Sequence, residues 1–174
     1  NILKNIHNLI NSADIILDSG TSEHVEYQYM NWKNLYDITK KERYRKFTIS
    51  MLDRLLDFQT KEGRFITCKR TQSTFLHPHL YTTEGFMVAA LYLNNDRYMR
   101  SVHKALAWAQ KLQMDNGGIA GFVDDNMIIS HDSSDVNAQY LKCAIESRYQ
   151  SKNNKNIREL IERLRSFQIL DNSE

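Results

Sequence analysis

Acids, imidazoles and phenols recur where this sequence begins its more apolar helical stretches. The first group is Glu23, His24 and Glu26. The second is His77, His79, Tyr81 and Glu84, and the third is His131, Asp132 and Asp135. A histidine beside a carboxylate can move protons near neutral pH. Tyrosines such as Tyr27, Tyr29 and Tyr81 can stack on sugar faces while donating a hydrogen bond. A carboxylate pair such as Glu84 and Asp135 suits glycoside chemistry when its separation is right. His77, Tyr81, Glu84 and Val88 follow helical spacing if a helix starts near Pro78, which presents an imidazole, a phenol and a carboxylate on one face.

Each residue also has a structural reading. Glu84, following Thr82 and Thr83, suits the first turn of its own helix, and Asp135 after Ser133-Ser134 reads as a helix start. Tyr81 reads equally as core. A metal site from His77, His79, His131 and Asp135 is not assigned, because His-x-His is short and common by chance. Neither Cys68 nor Cys143 lies in a nucleophile, redox or zinc motif, and the chain has no phosphate loop or dinucleotide fingerprint. No cofactor is expected. The expected catalytic set is Glu84, Asp135 and His77, and the expected ligand contacts are His79, Tyr81, Gln139, Asp132 and Tyr27.

The elements that must position these groups show an internal repeat of about 54 residues. Glu42-Arg43-Tyr44 leads to Gln59-Thr60-Lys61-Glu62-Gly63, and Asp96-Arg97-Tyr98 leads to Gln113-Met114-Asp115-Asn116-Gly117. A fainter third copy ends at Phe167-Gln168-Ile169-Leu170-Asp171-Asn172. Apolar periodicity predicts helices over 2–18, 24–38, 41–60, 79–93, 95–114, 135–148 and 154–169. The 79–93 stretch is apolar nearly all round, as a helix buried on all sides must be. Residues 65–74 read as irregular, and 121–134 as a long loop with a short strand pair near Ile128-Ile129. Gln59 and Gln113 are expected to tie turns to the neighbouring repeat. Gly63, Gly117 and Gly118 are expected to supply left-handed backbone.

The fold class that follows is all-α, with stacked helical hairpins forming an open or partial α/α toroid of about seven helices. One domain spans 1–174, with a lead helix and hairpins at about 24–63, 79–118 and 135–170. Closed toroids hold about six hairpins. The chain is therefore expected to be part of a longer protein or of an oligomer.

The formal charge of +2 is small and the basic residues sit beside acids, as in Lys40-Lys41-Glu42-Arg43, so no nucleic-acid partner is expected. No apolar run reaches membrane-span length, and two cysteines outside any pairing motif fit a cytoplasmic protein.

The stretches Leu56–Phe65 and Ala107–Gly118 resemble the Gln-rich repeat turns of the terpenoid-cyclase and protein-prenyltransferase toroid superfamily. His77-Pro78-His79-Leu80-Tyr81-Thr82-Thr83-Glu84-Gly85, followed by Asp135-Val136-Asn137-Ala138-Gln139, is similar to toroid proteins of bacterial surface-polysaccharide biosynthesis. The Asp-x-Asp-Asp motif of class II terpene cyclases is missing. The resemblance implies a glycan- or sugar-phosphate-binding toroid of capsule or exopolysaccharide synthesis. Any catalysis would be of the acid/base carbohydrate type, in a hydrolase, lyase or epimerase. Two other readings stay open: a non-catalytic scaffold or oligomerisation module of a larger polysaccharide-synthesis enzyme, and an isoprenoid-handling toroid.

Overall fold

A computed structural model describes residues 33–34, 36–68, 70–124, 128–129, 131–149 and 154–168. The expected helix 2–18, most of 24–38, and Tyr27 and Tyr29 lie outside them. Residues 36–39 are helical. The ordered course then runs α1 (Glu42–Leu55), a 3-10 turn (Leu56–Phe58), β1 (Thr74–Phe75), α2 (Leu76–Leu93), α3 (Asp96–Gln110), β2 (Phe122–Val123), β3 (Ile128–Ile129), α4 (Ser134–Glu146) and α5 (Asn154–Ser166). The architecture is all-α with one small sheet, the fold class the repeat implies.

Two layers follow from the burial pattern. Helix α2 hides eleven of its residues, among them Leu80, Phe86, Met87 and Ala89, and packs on both α3 and α4. Helices α1 and α3 are amphipathic and bury one side each, through Met51, Leu52 and Leu55 in α1 and Val102, Ala105 and Leu106 in α3. Phe65 stacks on Phe86 at 5.4 Å and Tyr98 meets Phe86 edge-on at 5.5 Å, so one aromatic column joins the turn after α1 to both helices of the next hairpin.

The outer helices are stitched in series by the repeated glutamines. Gln59 Nε2 donates to its own turn at the Gly63 carbonyl (3.1 Å) and to the Ser101 carbonyl in α3 (3.0 Å). Gln113 Nε2 does the same to Gly117 (2.8 Å) and to Asn156 in α5 (2.8 Å). Gly63 and Gly117 have φ of +106° and +85°, where a side chain is strained. A Cβ on Gly63 would stand 2.2 Å from the Lys104 carbonyl oxygen. Gly118 serves otherwise than expected: its φ is not positive, and it is needed because a Cβ would stand 1.9 Å from the Asp132 carboxylate.

The stretch expected to be irregular contributes β1, and the sheet has three antiparallel strands rather than a pair, in the order β1-β2-β3. Thr74 faces Val123 and Phe75 faces Phe122 across the first ladder. Gly121 links this sheet to both inner helices. Its carbonyl accepts the Leu76 N–H that opens α2 (2.9 Å), and its N–H donates to the His131 carbonyl (2.7 Å), just ahead of α4. A Cβ there would meet that carbonyl oxygen at 2.7 Å. This one residue levels the starts of α2 and α4.

Candidate functional site at the inner-helix starts

Helix α2 begins at Leu76, earlier than the sequence suggests, because Pro78 is tolerated within a first turn where N–H groups lack intrahelical partners. Glu84 therefore sits in mid-helix and caps nothing. The residues of α2 that are not buried up to that point are His77, Tyr81 and Glu84, with Val88 one turn on. They form the single stripe that helical spacing predicts.

A matching stripe on α4 meets it. His77 Nδ1 pairs with Asp135 Oδ2 at 2.7 Å. Two turns deeper, the Glu84 carboxylate accepts from Gln139 Nε2 and Lys142 Nζ. The His77–Asp135 and Glu84–Lys142 pairs have the same separation, 58 residues, so α2 and α4 run parallel and in register. The His77 ring lies 4.5 Å from that of Tyr81. The structure thus brings together His77, Tyr81, Glu84, Asp135 and Gln139, all expected at the site, and adds Lys142, which the sequence reading missed.

The electrostatics follow from these contacts. Asp135 is held below the usual carboxylate range, first by a hydrogen bond from Ser133 and then by His77, against some desolvation. Lys142 is pushed above its ordinary value by its hydrogen bond to Glu84. Both His77 and Asp135 are about half exposed. With Nδ1 turned to Asp135, the His77 nitrogen offered to a ligand is Nε2. At 1.5 Å rise per residue, Glu84 binds α4 about 6–10 Å deeper than Asp135. That is longer than the roughly 5 Å of a nucleophile–acid pair and overlaps the roughly 6.5–9.5 Å that leaves room for a water.

Two residues expected at the mouth are elsewhere. His79 is a core residue with no exposed surface. Its Nδ1 accepts the Phe65 N–H (3.2 Å), its Nε2 faces the Ala105 carbonyl (3.3 Å), and its ring packs on Phe65 and Trp108. Burial pulls its pKa down to about 4, so it is neutral at physiological pH. Asp132 is 7% exposed and clamped: Arg163 Nε and Nη2 donate to it at 2.9 and 3.0 Å, and Asn137 Nδ2 donates at 2.9 Å. Arg163 is the main reason its carboxyl lies below the ordinary range. Asn137 Oδ1 in turn takes the Ile119 N–H (2.9 Å), so Asp132 fastens the Gly117–Gly118 turn and α5 to the start of α4. Neither group can touch a ligand at the mouth.

Among the described residues no cluster of three His, Cys, Asp or Glu side chains is placed to hold a metal ion, and no helix is long and apolar enough to cross a membrane.

No family profile matches the sequence, and no curated protein matches it. Solved structures do. A sugar epimerase from a ruminal bacterium superposes with a TM-score of 0.71 at 12% identity, over 86% of this chain and 41% of that one. An inactive variant of the family 76 α-1,6-mannanase of Salegentibacter, in complex with α-1,6-mannotriose, gives 0.66 at 11%, over 84% and 46%. A family 105 glycoside hydrolase of C. acetobutylicum gives 0.63 at 17%, over 86% and 45%. The fold is therefore an α/α toroid, and this chain spans less than half the length of each of these proteins.

Proposed function

We propose that this chain is a glycan- or sugar-phosphate-binding α/α-toroid domain, its ligand seated over the starts of α2 and α4. The observation that carries this reading is the paired ladder of His77–Asp135 and Glu84–Gln139–Lys142, open to solvent at its upper end and flanked by Tyr81. A sugar hydroxyl array needs donors and acceptors at short intervals beside an aromatic face, and this ladder supplies both. The likeness to enzymes acting on mannans and other sugars supports the same ligand class. The sequence resemblance supports a place in bacterial surface-polysaccharide synthesis, and two cysteines outside any pairing motif support the cytoplasm. In that setting His77, oriented by Asp135, is the acid/base candidate, with Glu84 the second carboxylate of a widely spaced pair.

A second reading has its own observation. Glu84 is already occupied by Lys142 and Gln139, as a purely structural latch between inner helices would be, so the domain would serve as a scaffold of a larger enzyme. A screen of glycans and nucleotide sugars against wild type, Tyr81→Phe and Glu84→Gln separates the two. Binding that is weakened in either variant at unchanged melting temperature is the expected result. No ligand, or equal binding by folded variants, leaves the scaffold reading.

A further inference from the structure

The sheet that joins the inner-helix starts carries a second pair of aromatic rings, which the ladder does not use. On one side of it Thr74 and Val123 face each other and are buried, and the Thr74 hydroxyl donates to the Phe65 carbonyl (2.8 Å). On the opposite side Phe75 and Phe122 face each other, with ring centroids 4.7 Å apart and planes tilted by 55°. Phe75 is 45% exposed and Phe122 is half-buried. Main-chain bonds fix the pair: the Phe75 N–H donates to Thr67 Oγ1 (2.9 Å), and the next N–H, that of Leu76, donates to the Gly121 carbonyl. Between Ser73 and Leu80 the exposed residues are Phe75 and His77, each set between buried neighbours. Both therefore emerge on the open side, with α-carbons at most about 7 Å apart.

We infer that Phe75 and Phe122 form a second sugar subsite, so that the mouth takes an uncharged glycan of two or more rings, one on His77 and Tyr81 and the next on the phenylalanines. This deepens the reading of the mouth as a glycan site and rests on it. A phenylalanine side chain has no hydrogen-bonding group, so its ligand must offer an apolar face, and a sugar ring does so through its C–H groups while its hydroxyls stay at the rim. The π face of the ring is electronegative, which attracts those C–H groups and repels a carboxylate or phosphate. The ladder gives an anion no relief, since Lys142 already faces Glu84 and a protonated His77 faces Asp135. Rings held in place before binding lose little freedom on contact, so each added sugar gains affinity at small entropic cost. The phenylalanines thus extend the site along the glycan, and the ladder reads hydroxyls.

Calorimetric titration of the whole chain tests this, with neutral mono-, di- and trisaccharides of glucose, galactose, mannose and N-acetylglucosamine and with their uronic-acid and phosphorylated counterparts. A neutral disaccharide or trisaccharide is expected to bind about fivefold or more tighter than its monosaccharide. Phe75→Leu and Phe122→Leu, which keep apolar bulk and lose the ring, are expected to remove that gain at unchanged melting temperature, and Phe75→Trp is expected to keep it. Ile128→Ala, on the Thr74–Val123 side of the sheet, is the control and is expected to change nothing. Equal affinity of wild type for mono- and trisaccharide overturns the inference without recourse to any variant. So does a length gain that survives in folded leucine variants, or a preference for the charged counterparts. Each of these three results leaves the proposed function standing, whereas binding of no sugar at all removes both.

Discussion

The outer turns and the inner-helix starts are both repeated, but they repeat different things. At Gln59–Gly63 and Gln113–Gly117 the same side chains make the same bonds to the same kind of acceptor. At the starts of α2 and α4 only the positions recur: His77, Tyr81 and Glu84 on one helix correspond to Asp135, Gln139 and Lys142 on the other. A turn that must clamp a neighbouring backbone has one chemical solution, since the acceptor is always a carbonyl and the left-handed residue always a glycine. A solvent-facing stripe has many solutions, provided each residue suits its partner across the helix pair. Identical chemistry therefore marks the frame, and complementary chemistry marks the place where a ligand can be read.

The sharpest way to break this contrast is at the glycines. Gly63→Ala forces a side chain into left-handed backbone and onto the Lys104 carbonyl, and is expected to cost about 3 kcal/mol. Gly117→Ala, whose Cβ would lie 2.6 Å from the Glu159 carbonyl oxygen, is expected to cost slightly less, about 2 kcal/mol. Urea unfolding of both variants checks this. Two costs below about 0.5 kcal/mol, the range of ordinary surface changes, would show that the turns are not the frame.

The next effect comes from within the inner-helix start itself, where His77 and His79 differ in fate. A histidine whose folded pKa lies near 4 is kept neutral by the fold, while the unfolded chain takes up its proton near 6.5. Its contribution is whole above pH 6.5, is lost as pH falls from there toward 4, and is flat below. The expected loss over that window is about 3 kcal/mol. Asp132 and Asp135 are also lowered, but from an unfolded value of 3.8, so their contributions are lost only as pH falls below that value. Glu62 is lowered from 4.5, so the window above 4.5 is the one that separates His79 from the shifted carboxylates. His79→Asn, which keeps an acceptor for the Phe65 N–H, should flatten the slope of the urea midpoint between pH 6.5 and 4.5. Parallel slopes for variant and wild type would place the titration elsewhere.

What the sequence showed and hid has the same cause. The repeat signal is strongest in the outer elements, and it runs at about 54 residues. The inner helices, however, pair 58 residues apart, because the β2–β3 hairpin lengthens the second connection. Reading the inner starts at the outer period aligns His77 with His131 and draws Asp132 into the mouth, where it does not belong. The true register aligns His77 with Asp135 and reveals Lys142 opposite Glu84. His79 was misplaced for a rotational reason: two residues past His77, it points roughly 200° round the helix, into the core. By contrast the His77–Tyr81–Glu84–Val88 stripe, the two glutamine clamps and the layering of buried and amphipathic helices were all legible, because each depends on local period alone.

The smallest expected effect bears most directly on whether the ladder is a latch or a site. Lys142 is about half exposed and Glu84 about one-fifth exposed, so their ion pair is partly screened by water. A pair of this kind contributes roughly 0.5 kcal/mol, and at most about 1. A double-mutant cycle with Glu84→Gln and Lys142→Met, read by urea unfolding, should return a coupling energy in that range. If the coupling instead reached about 3 kcal/mol, the value for a buried pair, the ladder would be a fastening between inner helices and would belong with the glutamine turns. A small coupling is what a site requires. Glu84 must be able to exchange Lys142 or Gln139 for a sugar hydroxyl at little cost, and a ligand that takes over one of those hydrogen bonds loses nothing the fold depends on. The same cycle repeated with a bound glycan should shift the coupling, because the ligand would then compete for the carboxylate that Lys142 now holds.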